Sequence, residues 1–538
     1  MRVLNNSQMR QADRLTIRKA GMSSLELMER AGRQVAEAMV QQCPKLDCYR
    51  VAVVAGKGNN GGDGFVVARA LADLAEQVCV CLLVPTREIK GDAAIKLSEL
   101  SELGVPVFEA DTPEMWADCR GDICANDVIV DALLGTGLAR PIEGHYRTVV
   151  ADLNQSGVPI ISIDIPSGLS GDMNLVFGDS IDARMTVTLG APKVPLLMTP
   201  TSNRVGALVL ADIGIPDSVL EEVTGPRIEV ITSSCAKALL PTRAADAHKG
   251  DFGRVLLVAG SAGKIGAACL AGMGALRSGA GLVTVATPET CRSAVSSWMP
   301  EYMTLGLDDS GDGRVKSIAV DKLLQEPHDV LAVGPGLGLG AEVTKFVQTL
   351  VRQSVGPLVL DADALNAFAG DSSELCGGVG CEIVITPHPG EMARLVGIGT
   401  DEVQASRIEV ASEFAKARQI YVVLKGARTV VATPGGNTWI NVTGNAGMAT
   451  GGTGDLLTGV ISSWIAQSLN VEQACVLGVF LHGLAGDLAV AKCGQVALLA
   501  SDVGDHLGVA VLDLQAALPR DRQSIQPLGA GPLGFIPI

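Results

Sequence analysis

A polar, glycine-rich segment follows an apolar run near the start of the chain, and residues 56–64 read GKGNNGGDG. Where such a loop leads from a strand into a helix, backbone N–H groups and the helix dipole bind phosphate. The segment contains GxGxxG, the pattern of a dinucleotide-binding turn, but the next run, VCVCLLVP, lacks the terminal acid for a ribose hydroxyl. No Lys-Ser/Thr pair completes a Walker A motif. Because a simple turn needs neither two asparagines nor an aspartate, we predict a ligand-binding loop before a helix at 65–75.

Two more apolar runs of this half end on aspartate, in VIVDALLGTG and IDIPSG. The carboxyl ends of parallel strands line the ligand crevice of an open sheet. We therefore expect Asn60, Asp131, Asp164 and Ser167 to meet at one sheet edge, although each aspartate alone could simply cap a turn. Such oxygen ligands suit a hard cation, and they suit acid–base chemistry equally well.

The sharpest pattern of the other half is NAGMATGGTGDLL at 445–457, which precedes a long apolar helical run. The glycines and threonine at 451–454 place free N–H groups at the helix N-terminus, which forms an anion hole suited to a transferring phosphoryl group. Asp455 lies in the first turn, where it can pair with the helix dipole or take a proton from a substrate hydroxyl. A plain N-cap does not need four flanking small residues, so the pattern favours chemistry.

Other polar turns close the apolar runs of this half. GPGLG lies at 334–338 and DADALN at 361–366, and TPHPGE presents His388 rigidly between two prolines, which favours ligand contact. LKGART at 424–429 could hold the phosphates of a nucleotide. The small residues at 266–279 are equally well explained by close packing of a helix on a sheet.

These motifs can form sites only if the fold brings the strand ends together. The pattern of apolar residues predicts such a fold. Residues 1–45 show helical spacing, with Ser23 or Ser24 as an N-cap. Continuous short apolar runs then alternate with helical stretches, which predicts parallel sheets buried on both faces. The predicted strands cover 50–55, 78–84, 127–131, 159–163 and 185–189, then 254–259, 282–286, 330–333, 358–360, 383–386, 421–425 and 429–432.

A polar break with glycine and proline at 213–226 separates the two series of strands. We predict an α/β protein with an open αβα sandwich in residues 1–225 and a second α/β domain in residues 226–518. Residues 519–538 contain glycine and proline without periodicity, which predicts disorder or an irregular strap.

Composition narrows the class of protein. The chain has 538 residues and a net charge of −16, which repels phosphate backbones and argues against nucleic acid as the main partner. Its 13 cysteines show no zinc-site spacing, which predicts reduced thiols in a reducing compartment. The N-terminus lacks an apolar signal core and no segment reaches about 18 uninterrupted apolar residues. We predict a cytoplasmic protein without a membrane span.

GKGNNGGDG, VDALLGTG and IDIPSG together resemble the NAD(P)H-hydrate epimerase family over about residues 1–215. The resemblance implies a Rossmann-like sandwich that epimerises hydrated NADH and NADPH at C6, with Asp164 in proton transfer. It also implies a potassium ion coordinated by Asn60, Asp131 and Ser167. The residues implied in binding the hydrated nucleotide are Asn59, Asn60, Gly61, Gly62, Asp63, Gly135, Thr136, Gly137, Leu138, Ala139, Arg140, Pro141, Tyr146 and Asp164.

GGTGD before a helix resembles the ribokinase superfamily. Together with the run AGSAGKIGAACLAGMGALRSGAGLVTVATPE and the turns quoted above, it resembles ADP-dependent NAD(P)H-hydrate dehydratases over about residues 240–515. The resemblance implies that Asp455 deprotonates the C6 hydroxyl while ADP donates its β-phosphoryl group, with release of AMP and phosphate. The residues implied in contact with the damaged cofactor are Ala268, Gly338, His388 and Asp455. The residues implied in nucleotide binding are Lys425, Gly426, Ala427, Arg428, Thr429 and Gly454.

Joined in one chain, the two halves resemble the bifunctional nicotinamide nucleotide repair enzymes of bacteria. We expect magnesium with the nucleotide, although no all-carboxylate cage is visible, and we expect a homo-oligomer. Two alternatives stay open. GGTGD alone would also allow a ribokinase-like small-molecule kinase with an N-terminal nucleotide-binding regulatory domain. The N-terminal half could instead be a non-catalytic binding module, although the presence of Asp164 and Asn60 argues against it.

Overall fold

The computed structural model of the protein describes residues 1–517, apart from positions 139, 173, 177, 310 and 379, and the backbone of residues 525–527. The chain divides into two compact units. The first unit contains Arg2–Gly225 together with the strand at 525–527. The second contains Met1 and the described residues from Pro226 to position 517. Both units alternate strands and helices, which confirms the predicted α/β class.

The strands of the described residues are short and lie in both units. In the first unit they are β1 (Arg2–Val3), β2 (Arg50–Ala55), β3 (Gln77–Leu82), β4 (Val107–Glu109), β5 (Val128–Ala132), β6 (Ile160–Ile163), β7 (Met185–Leu189) and β8 (Ala207–Ala211). In the second they are β9 (Arg227–Ile231), β10 (Arg254–Val258), β11 (Leu282–Pro288), β12 (Met303–Leu307), β13 (Val330–Val333), β14 (Leu358–Leu360), β15 (Ile383–Ile385), β16 (Tyr421–Leu424), β17 (Val430–Ala432) and β18 (Asn437–Asn441). A last strand, β19 (Ile525–Pro527), returns to the first unit.

The α-helices of the described residues connect these strands. In the first unit they are α1 (Asn6–Ala20), α2 (Ser24–Gln42), α3 (Asn59–Leu71), α4 (Asp92–Glu102), α5 (Pro113–Ile123), α6 (Gly144–Gln155), α7 (Val194–Leu197) and α8 (Asp217–Glu222). In the second they are α9 (Ser233–Leu239), α10 (Ile265–Arg277), α11 (Glu289–Ser296), α12 (Ala319–Leu324), α13 (Ala341–Gln353), α14 (Pro389–Val396), α15 (Thr400–Ala405), α16 (Arg407–Arg418), α17 (Thr453–Ala466), α18 (Val471–Cys493) and α19 (Ala500–Ala516).

The sheet of the first unit has the strand order β19-β8-β7-β6-β5-β2-β3-β4. Its pairs are parallel except that of β19 with β8, so part of the predicted tail is an edge strand, while the rest of it lies outside the described residues. Neighbouring residues Val53 and Val54 enter two different apolar clusters, which shows that both faces are covered. The strand order reverses between β2 and β5, where open α/β sheets bind ligands.

The sheet of the second unit follows the order β9-β18-β17-β16-β15-β14-β13-β10-β11-β12. In this order, all neighbouring pairs between β16 and the edge strand β12 are parallel. Strand β17 runs antiparallel to both of its neighbours, β16 and β18. The order reverses between β10 and β13, which gives this unit a switch point of its own.

The small residues of α10 bring that helix against α17. A Cβ added at Gly274 would lie 2.3 Å from the Leu456 carbonyl oxygen, and one at Gly459 would lie 1.9 Å from that of Ala271. Carbon atoms do not approach oxygen this closely, so glycine permits the crossing. The small-residue run therefore serves helix–helix packing as well as packing on the sheet.

Several predicted boundaries differ from the structure. The first helical region is two helices, because Gly21 ends α1 in the left-handed conformation and Ser23 caps α2 by accepting from the Glu26 N–H at 3.1 Å. The sequence pattern predicts a loop ahead of residue 65, but α3 already begins at Asn59. The strands β4, β8, β9, β12 and β18 were not predicted, because they are short and in part alternate polar with apolar residues.

Helix α18 has the length and mean hydropathy, 1.8, of a membrane-crossing helix. However, 72% of its most apolar window is buried inside the protein, where it packs against α17 and α19. No other described helix meets the same criteria. Burial in a core accounts for this composition, and the predicted lack of a membrane span stays a prediction.

Candidate active sites

The first site lies at the switch point of the first unit, where α3 begins at the carboxyl edge of β2. Gly58 is the N-cap of α3, and the first backbone N–H groups of the helix have no partner within it. A Cβ at Gly56 would lie 2.2 Å from the Leu133 carbonyl oxygen, and one at Gly61 would lie 2.0 Å from that of Gly56. These glycines therefore let the helix start lie directly against the end of β5.

Asp131 is fully buried in β5 and accepts several hydrogen bonds. Ser167 donates from its hydroxyl at 2.6 Å and from its backbone N–H at 2.9 Å, and the Ser162 hydroxyl donates at 2.8 Å. Burial raises the pKa of Asp131, and these hydrogen bonds oppose that rise. No lysine or arginine in the described part of the chain forms an ion pair with this carboxylate. A buried carboxyl surrounded by hydroxyls and lacking a protein cation fits a bound monovalent cation.

Asn60 is buried in the first turn of α3, beside the turn that follows β5. Its Nδ2 atom has no hydrogen-bond partner among the described residues. A Cβ at Gly135 would lie 3.4 Å from the Asn60 Cβ, while the Leu133 N–H of the same turn donates to Asp131 at 3.3 Å. The turn that follows β5 thus lies against Asn60 and also donates to Asp131. Because the two ends of an amide have the same shape, the Asn60 oxygen can face the same space as Nδ2.

Asp164 follows β6 and adopts the left-handed conformation, with φ of 65°. One carboxylate oxygen, Oδ1, forms an ion pair with the ammonium of Lys193 and accepts from the Leu189 N–H at 3.1 Å. Lys193 is fully buried, whereas the Asp164 side chain is 14% exposed. The carboxylate therefore sits at the surface of the crevice with a buried cation behind it.

Two further carboxyl groups lie near Asp164. Burial and the neighbouring charges of Asp164 and Asp13 raise the pKa of Asp63 well above its usual range. Burial and Asp164 likewise raise the pKa of Asp13 to about 6, although Lys193 opposes the shift. Asp63 in α3 therefore lies in surroundings that favour its protonated form, while Asp164 forms the ion pair with Lys193.

The remaining predicted residues of this site make no hydrogen bond to Asp164 among the described residues. Asn59 is exposed beside Asn60, and the Thr136 carbonyl accepts from the Asn6 amide at 2.6 Å. Tyr146 lies in α6 and packs against the apolar cluster on the other face of the sheet. Residues Gly137, Arg140 and Pro141 are exposed, and Ala139 lies outside the described residues.

The second site is organised by Asp361, which follows β14 and is only 1% exposed. Its carboxylate accepts from the Lys425 ammonium at 2.6 Å and from the Thr458 hydroxyl of α17 at 2.7 Å. Burial alone would lower the pKa of Lys425, but the carboxylates of Asp361 and Glu391 outweigh it and raise that pKa. Lys425 is therefore a firmly protonated cation at the carboxyl end of β16.

Asp455 lies in the first turn of α17, above this pair. Burial and the nearby Asp361 raise its pKa to about 6, and Lys425 opposes the shift. A Cβ at Gly454 would lie 3.4 Å from the Lys425 Nζ atom, so the predicted residues Gly454, Lys425 and Asp455 do meet. A carboxylate with a pKa close to neutral, beside a helix N-terminus and an ammonium, suits a general base next to a phosphoryl group.

His388 and Gly338 border the same site from neighbouring strand ends. His388 caps α14, and its backbone N–H donates to Glu391 at 2.7 Å, while its ring is about half exposed. The Gly338 N–H donates to Asp363 at 2.8 Å, and Lys264 pairs with that carboxylate at 3.0 Å. Ala268 is buried in α10, close to the turn at Gly260. All four predicted substrate-contacting positions of this half thus lie in turns or helix starts that follow the carboxyl ends of strands.

Arg407 contacts the start of the predicted nucleotide loop. This loop consists of Lys425, Gly426, Ala427, Arg428 and Thr429. The buried guanidinium of Arg407 donates to the carbonyls of Leu424 at 3.0 Å and Lys425 at 3.1 Å. Burial lowers its pKa to about 10, so it keeps its charge. The exposed residues Gly426 and Ala427 are left at the surface above it.

Two family models match the chain: the YjeF-related protein N-terminus over residues 24–194 and NAD(P)H-hydrate dehydratase over residues 255–508. The bifunctional NAD(P)H-hydrate repair enzyme Nnr of Moorella thermoacetica is 39% identical over 96% of this chain and 97% of its own. The protein of the same name from Thermofilum pendens is 39% identical over 98% of each chain.

The chain belongs to the bifunctional NAD(P)H-hydrate repair enzyme family. The resemblance seen in its motifs is thereby confirmed. Among solved structures, the ADP/ATP-dependent NAD(P)H-hydrate dehydratase of Bacillus subtilis, co-crystallized with ATP/Mg2+, is 35% identical. It covers 53% of this chain and 98% of its own, with a TM-score of 0.48.

For a member of this repair-enzyme family, sequence reasoning left several buried polar residues unassigned. They are Asp13, Lys193, Asp361, Glu391 and Arg407. Asp361 had a signal, because it opens the DADALN turn. Lys193 and Asp13 had none, since a lysine after a strand and an aspartate on a helix are ordinary surface residues until the fold buries them.

A dedicated divalent-metal cage is absent from the described residues of this family member. No group of three or more His, Cys, Asp or Glu side chains is arranged to hold a metal ion there. In the second site Asp361 and Asp363 are already paired with Lys425 and Lys264. A divalent cation at this site would therefore depend on phosphate oxygens of a nucleotide.

Proposed function

We propose that the first unit interconverts the two C6 epimers of hydrated NADH and NADPH, and that the second dehydrates the S epimer to NAD(P)H at the expense of ADP. One observation carries the proposal: each unit of this family member has a partly exposed aspartate, Asp164 or Asp455, beside a lysine that is largely or fully buried at the carboxyl edge of the sheet. A dehydratase that accepts one epimer alone leaves the other epimer unrepaired. An epimerase in the same chain converts that second epimer into the substrate of the dehydratase.

In the first unit, hydroxide leaves C6 of the hydrate while the ring nitrogen supplies electrons, and water adds to the opposite face of the iminium-like state. Asp164 takes the proton from the entering water and stabilises the developing positive charge of the ring. Asp63, whose pKa is raised by burial and by the neighbouring charge of Asp164, lies beside the same carboxylate. The first-turn N–H groups of α3 hold the phosphates of the nucleotide.

Potassium is proposed at Asn60, Asp131 and Ser167. The support is the buried carboxyl of Asp131, which is surrounded by hydroxyls and has no ion-pair partner in the part of the chain that the structure describes. The Asn60 Nδ2 atom likewise has no hydrogen-bond partner there. The ion would supply the missing positive charge and fix the turn that follows β5. Replacing potassium by tetramethylammonium, which is too large for this site, is expected to lower epimer exchange and leave dehydration of the S epimer unchanged.

In the second unit, Asp455 takes the proton of the C6 hydroxyl as that oxygen attacks the β-phosphorus of ADP. The bond from this phosphorus to the oxygen of AMP breaks, and the proton stays on Asp455. The amides at the start of α17 and the ammonium of Lys425 stabilise the transferring charge. Electrons from the ring nitrogen then expel phosphate from C6, and loss of a C5 proton restores the double bond. Magnesium would accompany the nucleotide phosphates and neutralise part of their charge.

The test is recovery of the near-ultraviolet absorbance of NADH from a mixture of both epimers, with the full chain, ADP, magnesium and potassium. Complete recovery is expected. If recovery stops at the fraction of the substrate that is the S epimer, the proposed dehydratase activity stands and the proposed epimerase activity is refuted. If neither ADP nor ATP gives any recovery, and ATP instead yields a stable phosphorylated small molecule, the kinase alternative takes its place.

We further propose that the chain works in the cytoplasm as a homo-oligomer and without nucleic acid. All 13 cysteines are unpaired, which supports a reducing compartment. Light scattering during gel filtration gives the oligomeric state, and a monomer at all concentrations would contradict that part of the proposal.

A further inference from the structure

We propose that Lys193 is the positioning residue of the epimerase site, which fixes the carboxylate of Asp164 so that one oxygen alone faces the substrate. The inference rests on the proposed function of the first unit. It concerns a residue that neither the sequence motifs nor the family resemblance assigned.

Lys193 is fully buried, and its ammonium uses all three of its N–H donors within the protein. They go to the Asp164 Oδ1 atom, to the Thr188 hydroxyl at 3.1 Å and to the Leu189 carbonyl at 3.1 Å. An ammonium with no remaining donor does not protonate a substrate. Its role is therefore exerted through Asp164.

The two oxygens of Asp164 are in different environments. Oδ1 accepts from Lys193, from the Leu189 N–H at 3.1 Å and from the Thr188 hydroxyl at 3.3 Å. Oδ2 has no hydrogen-bond partner among the described residues and lies on the exposed part of the side chain. The saturated oxygen anchors the carboxylate, and the free oxygen is left for the proton that moves during epimerisation.

Lys193 also lies close to more than one acidic side chain. Asp13 of α1 and Asp63 of α3 face Asp164 and lie in surroundings that favour their protonated forms. Among the described residues, Lys193 is the cation that pairs with Asp164. Without it, Asp164 would lose its ion-pair partner, and the ammonium would no longer oppose the raised pKa of the neighbouring Asp13.

The experiment compares Lys193→Met with the wild-type chain. Epimer exchange is followed by chromatographic separation of the two epimers without ADP, so that dehydration does not occur. We expect the kcat of exchange to fall about 100-fold, with KM changed less than about threefold, because the substrate still binds but the base is misplaced. The acidic limb of the pH profile of exchange should move to higher pH, since loss of the ammonium favours protonated carboxyls. Lys193→Arg, which keeps the charge but not the geometry, should lie between the two.

The same chain contains a control for the amount of intact protein, because dehydration of the S epimer with ADP depends on the second unit. Lys19→Met, which removes an exposed lysine paired with Glu222, controls for loss of a lysine in the first unit. Combining Lys193→Met with Asp164→Asn should lower exchange no further than Asp164→Asn alone, because both changes act on one carboxylate.

Wild-type exchange in Lys193→Met, or an additive loss in the double variant, would overturn the inference. If Lys193→Met does not fold, Thr188→Val decides, because it removes one anchor of the ammonium without changing a charge. A drop of about tenfold in the kcat of exchange is expected, and an unchanged kcat overturns the inference. A wild-type chain that exchanges no epimers refutes the proposed function instead.

Discussion

At the scale of residues, three carboxyl groups of this protein have three different sets of partners. Among the described residues, Asp131 has hydroxyl donors and no protein cation. Asp164 has a lysine and a hydroxyl on the same oxygen, and Asp361 has a lysine on one oxygen and a hydroxyl on the other. A buried charge without a partner is costly, so each arrangement restricts what the group can do. The first suits a cation site, the second a fixed base, and the third an anchor for another side chain.

Asp455 should show its role through pH. Because burial and Asp361 raise its pKa to about 6, the ionised base is present above that value and is lost as pH falls through it. The rate of NADH recovery from the S epimer should therefore rise through about pH 6 and level off above it. Asp455→Asn should lower kcat at least about 100-fold and leave epimer exchange unchanged. A wild-type rate in this variant would contradict the assignment.

Asp361→Asn tests the anchor below Asp455. The change leaves Lys425, only 17% exposed, without its nearest carboxylate, and we expect the free energy of unfolding of the second unit to fall by about 3 kcal/mol. Nucleotide binding should weaken as well, because Lys425 is no longer held beside Gly454. Urea unfolding and calorimetric titration with ADP measure the two effects, with Asp329→Asn as a control that removes an exposed carboxylate. Unchanged stability and affinity would show that Lys425 is positioned by other contacts.

At the scale of elements, helix starts and helix crossings explain where the glycines lie. The start of α3 is close to the end of β5 because Gly56 and Gly61 have no side chains, which sets the ligand-facing N–H groups at the switch point. Helix α17 crosses α10 closely at Gly274 and Gly459. This contact determines how far the first turn of α17, which carries Asp455, lies from the sheet.

Gly459→Ala should destabilise the second unit by about 1–3 kcal/mol, because a Cβ would lie 1.9 Å from the Ala271 carbonyl oxygen and α17 must move. Dehydration should slow along with it, since Asp455 moves with the helix. The fluorescence of Trp464, which lies in α17, reports urea unfolding. As a matched control, Gly508→Ala on the exposed face of α19 meets no atom within 4 Å and should stabilise by about 1 kcal/mol. Equal effects of the two changes would refute the packing argument.

At the scale of the whole molecule, each site is built from the residues of one unit. The residues around Asp164 come from Arg2–Gly225, and those around Asp455 come from the second unit. The epimer that one site produces is a stable molecule that can diffuse to the other. The two activities should therefore be separable without dividing the chain.

Mixing Asp164→Asn chains with Asp455→Asn chains should restore complete NADH recovery from both epimers. Neither variant should do so alone within the time before the epimers exchange spontaneously, since one lacks exchange and the other lacks dehydration. The measurement is the final absorbance of NADH for each variant and for the mixture. Recovery by the mixture that stops where Asp164→Asn alone stops would show that the epimer does not pass between chains.

The sequence by itself determined the α/β class, the parallel strand series and the polar residues that follow strand ends. Apolar runs and glycine patterns are local, so they suffice to place Asn60, Asp131, Asp164 and Asp455 at sheet edges. Only the tertiary structure decided how these groups are partnered. The contacts of Asp164 with Lys193, and of Asp361 with Lys425 and Thr458, join residues 29, 64 and 97 positions apart. Burial, which gives such pairs their strength, is a property of the folded surroundings and leaves no periodicity in the chain.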